Sequence, residues 1–116
     1  MKPETIKIDE VEYIRKDAAP QLDAGYVIVR GDRSGCFAGY LKRRDSTEIV
    51  LCDARRLWYW DGAASLSELA MSGTSKPENC KFPEPMARVT ILDAIEIIDC
   101  TSKAKQSIES VKIWRA

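Results

Sequence analysis

The chain has 116 residues, enough for one domain with a modest core, and its 18 basic side chains balance 18 acidic ones. A net charge of zero excludes a protein that coats long DNA or RNA through charge alone, because such binding needs a basic surplus. The lack of any histidine removes the commonest general base, the commonest metal ligand and the usual activator of a nucleophilic serine or cysteine.

From the N-terminus, TIKIDEVEYIRK (Thr5–Lys16) alternates apolar and polar residues about Asp9-Glu10, and residues 1–25 read as a short hairpin or extended arm. DAAPQLDAG, which closes that arm, is a connector punctuated by Pro20 and Gly25. A single domain of residues 26–116 follows. YVIVR (Tyr26–Arg30) is an apolar, β-branched strand, and GDRSG (Gly31–Gly35) is a turn. CFAGYLKRR (Cys36–Arg44) is a second strand, in which Gly39 marks a bulge or a close backbone approach. DST turns the chain into EIVLC (Glu48–Cys52), and ARRLWYW (Ala54–Trp60) continues that strand past Asp53.

Ser65 opens the clearest helix. Ser65 and Glu68 form a capping box, Leu66, Leu69 and Ala70 share an apolar face, and Gly73 ends the run. Thr74–Pro85 is a proline-punctuated loop carrying one aromatic residue, Phe82. RVTIL (Arg88–Leu92) and AIEII (Ala94–Ile98) read as strands with a kink at Asp93-Ala94. Thr101 caps a second helix over SKAKQSIES, and VKIW (Val111–Trp114) reads as a terminal strand. The expected class is α+β: an antiparallel β-sheet of about six strands with two short α-helices packed on it.

Cys36, Cys52, Cys80 and Cys100 form no CxxC pair, so they read as reduced, mostly buried thiols of a cytosolic protein. Nothing resembles a leader or an apolar run of membrane-span length. The serines and thiols lack a histidine partner, the carboxylates are scattered, and neither a Walker loop nor a dinucleotide-binding glycine fingerprint follows a strand. The expectation is therefore a binding protein and not an enzyme, with no cofactor and no metal.

Charge is segregated along the chain. Residues 30–56 hold seven basic and four acidic side chains, and residues 101–116 hold four and one, so folding could gather two basic segments around a small anion. Strand alternation puts Arg56, Trp58 and Trp60 on one face of ARRLWYW, and Arg55, Leu57 and Tyr59 on the other. Flat rings stack on bases and arginines fork onto phosphates, so the first face suits a nucleotide. The same rings equally suit a core or a subunit interface. Arg30, at the end of its strand, and Phe82, in its loop, are further candidate contacts. Their plainer readings are an exposed charge and an anchor to the core.

YVIVR, FAGYLKRRDSTEIVL, ARRLWYWDGAASLSELA, KPENCKF and AIEII…TSKAKQSIESVKIW together resemble a family of small phage-encoded proteins, from Tyr26 to the C-terminus. That family is similar to the first type of Thoeris anti-defence protein. Such proteins are sponges, which sequester a cyclic ADP-ribose isomer made by bacterial TIR-domain immune enzymes without cleaving it. Some also hold cyclic oligonucleotides, and they assemble as dimers or as hexamers of dimers. The resemblance implies ligand contacts at Arg30, at Arg55 or Arg56, and at Phe82, with adenine stacked on Phe82 or on a tryptophan such as Trp60. It also implies self-association, no membrane and no long nucleic acid as partner, and action in the cytoplasm of the infected bacterial host. The alternative is a phage structural or interaction protein whose Trp58, Trp60 and Trp114 form a subunit or partner interface. A weaker third reading is a single-stranded nucleic-acid accessory protein.

Overall fold

A computed structural model describes residues 21–116. The sheet elements are β1 (Leu22–Gly31), β2 (Cys36–Asp45), β3 (Glu48–Arg56), β4 (Met86–Ile91) and β5 (Ala94–Thr101). The helices are α1 (Leu66–Ser72) and α2 (Ser102–Ser110), with a 3-10 turn at Pro77–Asn79. All strand pairs are antiparallel, in the order β4-β3-β2-β1-β5, and the expected α+β class holds with five sheet strands. VKIW does not join the sheet: Ile113 makes only a single parallel bridge to Phe82. Residues 1–20, and with them most of the expected arm, lie outside the described residues. The end of that segment is already strand, because β1 starts at Leu22.

The strand order forces the sheet to curl. β4 and β5 are its two edges, yet only Leu92 and Asp93 separate them in the chain. Five flat strands would place those edges about 19 Å apart, at roughly 4.8 Å per strand. Three Cα steps reach at most about 11 Å. The edges therefore approach one another at this end, where Ala94 N–H donates to the Thr47 carbonyl at 3.0 Å and Asp32 N–H to the Asp93 carbonyl at 2.9 Å.

Curling gives each central strand two buried faces, which explains the unbroken apolar run of YVIV. Val27, Val29, Phe37, Ile49, Leu51, Ala54 and Ile91 fill the concave side. Tyr26, Ile28 and Ala38 face the other way, against Leu69 and Ala70 of α1 and Ala104 and Ile108 of α2. Burial pushes the Tyr26 phenol well above its ordinary range, and the Cys100 thiol in the same layer up to about 12, aided by the Asp99 and Asp23 carboxylates.

Local chemistry sets the joints. Asp53 is an extra residue on β3, in the left-handed region at φ 49°, where the pairing slips between Ala38↔Arg55 and Tyr40↔Cys52. A side chain at Gly39 would meet the Ala54 Cα at 2.9 Å, so the close approach expected there is real. The Ser65 hydroxyl accepts the Glu68 N–H at 3.3 Å, while the Glu68 carboxylate reaches back to the Ala64 N–H at 2.7 Å, one residue earlier than in the usual box. The Thr101 hydroxyl caps α2 by accepting the Ala104 N–H at 3.0 Å.

Candidate functional site

Past Arg56 the chain leaves the sheet and builds a small second array. Tyr59 and Lys81 exchange backbone bonds of 2.8 and 3.3 Å, and Phe82 bridges Ile113 in parallel. The Phe82 carbonyl then accepts the Trp114 N–H at 3.0 Å. Three limbs of irregular chain, around residues 59, 81–82 and 113–114, are thereby held side by side.

Phe82 is fully buried in the layer between sheet and helices. Its neighbours Lys81 and Trp114 belong to the outer surface. The indoles of Trp58 and Trp114 stack with centroids 5.1 Å apart and planes 17° from parallel, although they are 58% and 40% exposed. The Lys81 ammonium lies 5.6 Å from both indole centroids and 5.9 Å from the Tyr59 ring. That is within reach of the ring quadrupoles. The result is a flat, accessible aromatic surface with a positive charge at its edge.

Trp114 also lines a cavity of about 400 Å³, walled by Pro77, Glu78, Cys80, Ser110, Lys112 and Ile113. Its volume lies at the small end of the range that holds low-molecular-weight ligands. Platform and cavity meet at Trp114, while Trp58, Tyr59 and Lys81 do not line the cavity.

The residues expected to grip a ligand are placed otherwise. Arg55 is 4% exposed and points beneath the platform. It donates to the carbonyls of Ile108 (3.0 Å), Val111 (2.7 Å), Phe82 (2.8 Å) and Pro83 (3.4 Å), and its guanidinium carbon sits 5.5 Å from the Phe82 ring. Neither Arg55 nor Phe82 offers a ligand a free face. Arg56 lies on the opposite side of the sheet, 4.6 Å over Phe37, and donates to the Ser34 carbonyl at 3.0 Å. Arg30 is half exposed and paired with Glu96 at 3.1 Å. Trp60 packs partly buried against the helix-side core, on the side of Leu57, so the expected face shared with Arg56 and Trp58 does not form. β3 ends at Arg56, and beyond it strand alternation no longer applies.

Of the five candidates, the structure brings together Arg55 and Phe82, as the support of the site and not its surface. The alternative interface reading grouped Trp58 with Trp114, but their stacking on one another, the separation of Trp60 from them and the part of Lys81 were missed. The only signal was that KF and KIW each set a buried-type residue beside an exposed-type one. Nothing local couples Trp58 to a residue 56 positions away.

All four cysteines are free thiols, and burial raises Cys36 and Cys100, the opposite of what a reactive thiolate requires. Among the described residues no cluster of three metal-ligating side chains occurs, and no helix is long and apolar enough to cross a membrane. A family model described as a domain of unknown function, DUF6948, matches residues 24–108. That range contains Trp58, Tyr59 and Lys81, and stops short of Trp114. No curated protein and no solved structure matches the chain.

Proposed function

We propose that this protein, which belongs to the DUF6948 family, captures a nucleotide-class anion on its Trp58–Trp114 platform and holds it without chemistry. One observation carries the reading. Two indoles are stacked on each other and kept exposed, with a lysine ammonium against both, where an apolar pair of this size would ordinarily be buried. A purine stacks on such a surface for about 1–3 kcal/mol, and the ammonium at the edge meets phosphate. Sequestration at nanomolar concentration needs about 12 kcal/mol, so stacking alone falls short. The cavity beside Trp114 is where the rest of a bulky ligand would be desolvated. Lys112 and Ser110 there offer donors to phosphate, and Glu78 an acceptor for hydroxyl or amine groups.

In the form suggested by the sequence resemblance, the ligand is a cyclic ADP-ribose isomer. The protein is then a phage counter-defence sponge, working as a homo-oligomer in the cytoplasm of the infected host. The direct test is to incubate the protein with lysate containing an active TIR-domain immune enzyme, repurify it, denature it by heat and identify what is released by mass spectrometry. An intact cyclic nucleotide is the expected product. A hydrolysed one would replace the sponge with an enzyme, and release of nothing would remove the nucleotide reading.

A second reading is favoured by one feature, the 58% and 48% exposure of Trp58 and Tyr59: a partner chain could cover them. Loss of self-association in Trp58→Ala by sedimentation, with no ligand released from the wild type, would select that reading.

A further inference from the structure

Arg55 was expected at the ligand, and its burial gives it a different task. The Phe82 carbonyl accepts two bonds, from Arg55 Nη2 at 2.8 Å and from the Trp114 N–H at 3.0 Å. Arg55 Nη1 meanwhile donates to the Val111 carbonyl at 2.7 Å and the Ile108 carbonyl at 3.0 Å. One planar guanidinium thus spans the limb that carries Lys81 and the segment that leads from α2 to Trp114. A buried cation of this kind is costly unless its donors are satisfied. Here Nη1 and Nη2 are satisfied by four backbone carbonyls, two of them at the negative end of α2, whereas the buried Nε has no partner among the described residues. What the contact supplies is direction, through a fork that lysine does not possess.

We infer that Arg55 is the positioning residue of the platform: without touching ligand, it fixes the Phe82 and Trp114 limbs against each other and so keeps Trp114 stacked on Trp58. The inference rests on the proposed binding role of the platform, but the geometry that Arg55 sets is measurable with no ligand present. Replacing the fork by a compact ammonium leaves one limb untied. Trp114 then keeps only its own backbone bond to Phe82.

Stacked indoles give an exciton couplet in circular dichroism, which Trp58→Phe and Trp114→Phe should each abolish and so assign. Arg55→Lys is expected to unfold cooperatively yet lose more than half of that couplet, and to weaken ADP binding, read by tryptophan quenching, about tenfold. In a Trp114→Ala background the same substitution should change ADP affinity less than about twofold, because the two act through one contact. A folded Arg55→Lys with an undiminished couplet overturns the inference. If ADP binds to none of the proteins while the couplet still falls, positioning stands and linear ADP is removed as a ligand of the platform. Should Arg55→Lys fail to fold, hydrogen exchange on the wild type decides. The Trp114 amide should be protected as well as the Lys81 amide, and free exchange at Trp114 overturns the inference.

Discussion

Inside the curled sheet, Val29, Ile49 and Leu51 are completely buried, and each is surrounded by other apolar side chains of the same layer. On the platform, Trp58 and Trp114 are accessible, and their limbs are joined by a few hydrogen bonds that meet at Phe82. The first region is held by area, which is non-directional and shared among many neighbours. The second is held by direction, so removing one donor loosens several groups at once. Rigidity of the first kind gives a stable support. Arrangement of the second kind gives a surface that stays open and flat although its rings would lower their free energy by burial.

Leu51→Ala gives the largest effect and breaks the comparison from the sheet side. It should cost about 2–5 kcal/mol in urea unfolding, with the indole couplet unchanged until the global transition. If the couplet disappears before the sheet unfolds, the platform is not independent of the concave core. Thr101→Ala is milder and sharpens it. The Thr101 hydroxyl caps α2 and donates to the Met71 carbonyl at 2.8 Å, so its loss should cost about 1 kcal/mol by the same measurement. The end of α2 that bears the Arg55 acceptors lies two turns away, and the couplet should stay near its wild-type size.

Much of the fold was legible in the sequence because its signals are local. The Ser65 and Thr101 caps, the Gly73 stop and the Gly39 close approach are written within a few residues of where they act. The topology was not, since a two-residue link between opposite edges is a property of the whole curled sheet. The site was least legible. Arginines and aromatic residues do occur in and under the platform, but alternation was extended through ARRLWYW past the point at which β3 ends. Burial then reassigned Arg55 and Phe82 to the support. The stacked pair, Trp58 and Trp114, is brought together by the bridges at Tyr59↔Lys81 and Phe82↔Ile113 and by the Arg55 fork beneath them, which no sequence spacing announces.

The most direct measurement is a tryptophan-fluorescence titration of the protein with purified cyclic ADP-ribose isomers, beside Trp58→Ala. Trp58 is more than half exposed, so its removal should cost little beyond its stacking on Trp114, about 0.5–1.5 kcal/mol. Saturable quenching in the wild type that is lost in the folded Trp58→Ala protein is the expected result. Unchanged emission across the isomers, or quenching that survives in Trp58→Ala, would contradict a nucleotide platform at Trp58 and Trp114.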